Sequence, residues 1–245
     1  MAIQPDIKLI KIEYGAFPPA SRLNHKIAAD SLLLRATLDI RWEDPDPASA
    51  VARCEGALLA FSPSFKRHQC RGPEAYHVVP GNGRNAGAAG GREHPRPGQP
   101  FDGALALMHL IEHVMIDFQC AVTDQKRCSG ITAAHRGARG RYDLIVESPD
   151  YGIARCCLAL ALSSVSAATD GSFPGTIERD ILHVARAAYT RPWRSLNAPD
   201  LARELGWTEA RAGRSLGALR DVGYLSERPY TVNISGLSDF RVSTS

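Results

Sequence analysis

The sequence lacks an uninterrupted apolar run near the roughly 20 residues that cross a bilayer. Its start, Met1-Ala2-Ile3-Gln4-Pro5-Asp6, has neither the charged nor the apolar region of a secretory signal. Both absences predict a cytoplasmic protein with no membrane partner. A dominant charge is missing as well: 29 Lys and Arg against 26 Asp and Glu leave only +3, too little to imply nucleic acid by itself. Six cysteines, Cys54, Cys70, Cys120, Cys128, Cys156 and Cys157, follow no framework spacing, which excludes a disulfide scaffold and predicts reduced thiols. Internal repeats at solenoid periods are absent.

What is present is an ordinary globular composition, 44% hydrophobic and 22% charged over 245 residues, enough for one large domain or a main domain with a small companion. Residues 7 to 13 alternate apolar with polar side chains and predict a strand, as does Leu34 to Trp42 before the turn-rich Glu43-Asp44-Pro45-Asp46-Pro47. Pro18-Pro19 leads into a short helix, and Ala48 to Phe61 predicts a helix stopped at Ser62-Pro63. Residues 80 to 100, rich in Gly and Pro, have too little apolar surface to offset their ordering entropy and predict a long flexible loop, a linker or a lid.

From Phe101 to Gln119 the apolar residues Ala104, Leu107, Met108, Ile111, Val114, Met115 and Phe118 recur at helical spacing. Within that helix lies His109-Leu110-Ile111-Glu112-His113. Positions three and four apart share a helix face, so His109, Glu112 and His113 point the same way. Two imidazoles so spaced can grip one divalent cation, zinc above all, and the carboxylate can take a proton from its bound water. This is the reversed form of the zinc-peptidase run. The same residues can also be satisfied core or surface groups, but burying three titratable side chains on an apolar helix is costly unless something compensates them. A catalytic zinc usually has a third protein ligand. Glu147, at the end of the β-rich Tyr142-Asp143-Leu144-Ile145-Val146, is the first choice, with His135 and Cys128 as alternatives. His135 or Arg136, in an expected loop, is a candidate for steadying an oxyanion.

The helix residues Leu110 to Gln119, the strand Tyr142 to Glu147 and a following helix with Ala154-Arg155 resemble the N-terminal domain of cyanophycin synthetase. His68-Gln69-Cys70-Arg71-Gly72 resembles the segment preceding the helix there, and the likeness extends over about residues 7 to 168. The resemblance implies a domain that handles an Asp-Arg polymer and, in some members, a metal-dependent centre that cuts it. The chain has no Gly-x-x-x-x-Gly-Lys loop and no room for ligase modules, which excludes synthetase activity.

Asp150 to Ala168 predicts a further helix, closing an α+β main domain over residues 1 to 170. After Gly171-Ser172-Phe173-Pro174-Gly175, helices are predicted over Thr176 to Tyr189, Ala198 to Leu205 and Thr208 to Val222, then short strands around Gly223 to Leu225 and Tyr230 to Val232. That order resembles a small winged helix-turn-helix unit over 171 to 245, with Gly206 in the turn. Arg211 and Arg214 on its third helix are candidate DNA contacts, to which Arg191, Arg194, Arg220 and Arg228 can add. The alternative is a packing or protein-interaction role, since Glu204, Glu209, Asp221 and Glu227 are interspersed. Three functions follow as expectations: a zinc-dependent hydrolase of a peptide or amide bond, a DNA-binding regulator with a metal- or metabolite-sensing N-terminal domain, and a polymer-binding protein without catalysis.

Overall fold

Among the described residues, twelve elements, numbered in chain order, build an α+β architecture. They are β1 (Asp6–Ala16), α1 (Pro18–Leu23), β2 (Leu32–Arg41), α2 (Pro47–Phe61), β3 (His77–Val79), α3 (Gly103–Thr123), β4 (Gly130–His135), β5 (Arg141–Glu147), α4 (Tyr151–Thr169), α5 (Thr176–Thr190), α6 (Ala198–Leu205) and α7 (Glu209–Asp221). The computed structural model describes residues 4–62, 77–79, 102–135, 137–172, 175–191, 195–226, 230 and 232. The expected loop at 80 to 100 and the His68–Cys70 segment lie outside these residues.

The sheet has the order β1-β2-β5-β4-β3, with β3 parallel to β4 and the other pairs antiparallel. Side chains alternate across it. Leu34, Ala36, Leu38 and Ile40 of β2 and Tyr142, Leu144 and Val146 of β5 face α3 and α4 in the main core. The intervening positions face away, where Leu33, Ile131, Ala133 and Ile145 pack under Ala20, Ile27 and the partly buried Phe17 and Leu23. Beyond that apolar end the outer face is polar: Arg35 and Thr37 of β2 both meet Asp143 of β5.

Helix starts follow side-chain caps that satisfy otherwise orphan amides. Asp46 accepts from Ser49 N at the head of α2, Asp102 from Leu105 N at α3 and Asp150 from Ile153 N at α4. A side chain at Gly103 would collide with Pro47, so α2 and α3 meet closely there. Both α3 and α4 are long and apolar enough to cross a membrane, contrary to the expectation from uninterrupted runs, because His109, Glu112, His113 and Asp117 break α3 without lowering its mean much. Within this fold 72% of the α3 window and 56% of the α4 window are buried, so these are core helices.

The helices after Asp170 share that core. Ile181, Val184, Ala185 and Ala188 of α5, Leu201 of α6, and Ala212, Leu216 and Leu219 of α7 belong to the same buried cluster as Phe118 and Leu144. Arg186 donates to Ala121 O and Asp124, tying α5 to the end of α3. Between α6 and α7, Gly206 adopts φ 67°, a left-handed conformation that suits glycine. Isolated antiparallel bridges join Leu196 to Tyr230 and Leu225 to Val232.

Candidate metal centre

The histidine run sits on α3 where the helix crosses β4. The His109 and His113 rings lie side by side with centroids 4.4 Å apart, and both residues are partly buried. Glu112 turns inward from between them and is only 5% exposed. Its Oε2 accepts a hydrogen bond from Thr132 Oγ1 of β4 and lies 3.5 Å from His109 Nδ1. Its other oxygen abuts Gly130, where an added Cβ would come within 2.5 Å of Oε1. Helix and strand therefore hold one carboxylate between an imidazole, a hydroxyl and bare backbone. Two turns further along the same face, Gln119 Nε2 donates to Glu147 O at 2.5 Å and contacts Cys128 Sγ at 3.3 Å.

Glu147 does not join the histidines. Its carbonyl faces α3, while its side chain follows its cross-strand neighbour Leu33 onto the outer face of the sheet. There Oε1 accepts from Ser31 Oγ at 2.9 Å and Oε2 from Ser129 N at 3.0 Å. His135 is likewise elsewhere: the expected loop is the end of β4, and its Nε2 lies 3.0 Å from Asp143 Oδ1 on the outer face. Cys128 stays near α3, but its thiol donates to Glu147 O at 3.1 Å. Burial, and then the neighbouring Cys120, Glu147 and Glu112, push its pKa up, disfavouring the thiolate a metal would need. Arg136 lies outside the described residues. Among the described residues no group of three or more His, Cys, Asp or Glu is arranged to hold a metal ion. What this face of α3 brings together is two adjacent imidazoles and one buried carboxylate beside His109.

The second cluster, on the outer face, centres on Asp143, 1% exposed. Thr37 Oγ1 donates to Oδ1 at 2.7 Å, and Arg35 donates to Oδ2 through Nε at 3.0 Å and Nη2 at 2.6 Å. Burial opposes ionisation of this carboxyl, but the bonds from His135, Thr37 and Arg35 together with the Arg35 charge outweigh it and hold the pKa below the usual range. The β-branched Thr132 and Thr37 had no recognisable motif around them. Only the period-two alternation of Ile131, Thr132 and Ala133 marks β4 in the sequence.

The two candidate DNA contacts differ. Arg211 donates to Asp180 of α5 through Nε at 2.7 Å and Nη2 at 2.6 Å, and stacks over Trp207 with its guanidinium carbon 4.3 Å from the ring centroid. It clamps α7 to α5. Arg214, one turn on, is exposed. Arg191 pairs with Glu204 and Arg220 with Asp221, whereas Arg194 and Arg228 lie outside the described residues. The chain matches no protein-family model and no curated protein sequence.

Proposed function

We propose that the protein is a metal-dependent hydrolase of a peptide or amide bond, with zinc as the metal and His109 and His113 as its protein ligands. The observation that carries this reading is the gathering of His109, Glu112 and His113 on one face of an otherwise apolar core helix, with the Glu112 carboxylate buried between His109 and Thr132. A satisfied apolar helix has no need of three such groups. Bound zinc would supply Lewis acidity that lowers the pKa of water. Glu112 would accept the proton from that water and return it to the leaving amine. The resemblance to the cyanophycin synthetase N-terminal domain makes an Asp-Arg polymer or a related peptide the first substrate to try. Glu147 has no part in this reading as a ligand, since its carboxylate is engaged on the other face of the sheet.

The test is metal analysis of the purified protein and of Glu112→Gln alongside hydrolysis of peptide substrates. Bound zinc in both, with turnover only in the wild type, supports the reading. A wild type that refuses added zinc ends it.

A second reading, a DNA-binding regulator, draws on α6, Gly206 and α7 together with the bridges Leu196–Tyr230 and Leu225–Val232, an order that resembles a winged helix-turn-helix. Salt-sensitive duplex binding lost in Arg214→Ala would favour it.

A further inference from the structure

Strand β1 forms one edge of the sheet and, among the described residues, pairs only with β2. It runs for 11 residues, whereas β3 at the opposite edge has 3. Alternate residues of an antiparallel strand direct both N–H and C=O away from the paired neighbour, so a long edge is a template for another strand. Apolar exposure gathers here too. Of the four large apolar side chains that stand exposed among the described residues, Leu9 (40%) and Ile10 (43%) lie on β1, and Leu32 lies opposite its end at Ala16. Ile10 is bulged out of the ladder between Leu9 and Lys11. The partners across the ladder sort the other side chains. Leu9, Ile12 and Tyr14 stand opposite Leu38, Ala36 and Leu34 on the core face, while Lys8, Lys11 and Glu13 stand opposite Asp39, Thr37 and Arg35 on the outer face.

We propose that β1 is a self-association edge: it pairs antiparallel with β1 of a second copy about a two-fold axis through Ile12, joining two five-stranded sheets into one. The occupant follows from charge. A two-fold axis normal to the sheet keeps core face with core face, so it passes through a residue and not between two. With the axis through Ile12, Lys11 stands opposite the partner's Glu13, Glu13 opposite the partner's Lys11, and Leu9 opposite the partner's Tyr14. The other central registers fail. An axis through Lys11 or Glu13 sets that residue against its own copy, and one through Leu9 sets Lys8 against Lys11. Opposite charges across a ladder stabilise it and like charges destabilise it. Within one chain Lys11 Nζ lies 2.7 Å from Glu13 Oε1, and Arg35 Nη1 lies 3.5 Å from Glu13 Oε2. Lys11, 61% exposed, is mobile enough to turn to the partner. Lysines and a bulge ordinarily guard an edge against foreign strands; here they exclude the wrong registers.

The experiment reads the oligomeric state of the full chain by sedimentation velocity, with circular dichroism checking the fold of each variant. Wild type should be a dimer. Lys11→Glu and Glu13→Lys each turn two ion pairs into two repulsions, so either variant alone should self-associate roughly 10-fold more weakly or not at all. Mixed together they should form a heterodimer, because every crossing pair is then opposite in charge. Each variant lacks the ion pair within its own chain whether mixed or not, so the mixture reads the contact between copies. Carbodiimide coupling of mixed unlabelled and nitrogen-15 wild type needs no variant to fold: it should link Lys11 of one isotope to Glu13 of the other, read by mass spectrometry. A wild type that stays monomeric at its highest soluble concentration, or a dimer that both variants retain, would overturn the proposal. So would folded variants that dissociate yet form no heterodimer, or a dimeric wild type without the mixed-isotope link.

Discussion

Arg211 grips Asp180 with two hydrogen bonds, 2.7 and 2.6 Å long, while its guanidinium carbon sits over the Trp207 ring, 4.3 Å from the centroid. The carboxylate in this fork is 6% exposed, so removing the arginine strands a charge that water reaches poorly. Arg211→Ala should lower the melting temperature, and Arg211→Lys should fall between, because lysine keeps the charge without the planar fork. Arg214→Ala should leave melting unchanged. If the C-terminal helices bind duplex DNA, Arg214→Ala should weaken binding and reduce its salt dependence with the fold intact. Thermal melts run beside a binding titration separate the two arginines.

Asp143 makes stability pH-dependent. Its folded pKa lies below the value of about 3.9 expected of an unfolded chain. The stability it contributes is therefore complete above that unfolded value and is lost as pH falls through the folded one. Asp143→Ala should cost about 3 kcal/mol at pH 7, the scale for breaking a buried charged pair. The gap between wild type and variant should narrow in urea titrations repeated below pH 3. A gap that is the same at both pH values would contradict the ionised network with Arg35 and Thr37.

Burial keeps the interior thiols protonated. Cys54 and Cys156 are pushed up to about 12, and Cys120 to about 11. At pH 8 the first two carry on the order of a thousandfold less thiolate than a free cysteine with a pKa of about 8.5. Iodoacetamide should label neither Cys54 nor Cys156 in the folded protein within minutes, and both rapidly in urea. Mass spectrometry of the labelled peptides gives the answer.

Phe118 anchors the C-terminal half of α3, fully buried and edge-on to Phe61 at 5.8 Å between centroids. Phe118→Ala should destabilise the protein by about 3–5 kcal/mol, the cost of a large cavity in a packed core. Denaturant unfolding followed by circular dichroism measures it.

The helices were legible because amphipathic periodicity and Asp, Asn or Thr caps repeat a local physical rule, and α2 through α7 stand within a few residues of where that rule places them. The histidine face was legible for the same reason, since helical spacing alone brings His109, Glu112 and His113 together. The third ligand was not. In Tyr142-Asp143-Leu144-Ile145-Val146-Glu147 the alternation sets the all-apolar Tyr142, Leu144 and Val146 on one face and Asp143, Ile145 and Glu147 on the other, so a ligand role for Glu147 required the more polar face to meet α3. Tertiary packing puts Tyr142, Leu144 and Val146 there and sends Glu147 to the other side. Strand β4 carried only a faint signal: Ile131 is its one large apolar residue among Gly130, Thr132, Ala133 and Ala134, and its place is set by partners 8 to 16 residues away in β5. Thr132, which reaches Glu112, was missed with it.

The shared core also bears on how the chain is made. Helix α3 ends at Thr123, but the surfaces that cover its apolar sides come from β5, α4 and α5, which end at Glu147, Thr169 and Thr190. On a ribosome adding about 5–20 residues each second, α3 would leave the tunnel several seconds before its last partner. In that interval a 21-residue apolar helix has only the earlier β2 and α2 to cover it, leaving apolar surface that a chaperone binding nascent chains would meet. Stalling synthesis after Thr169 should therefore leave a chaperone-bound intermediate, and release of that chaperone should await α5.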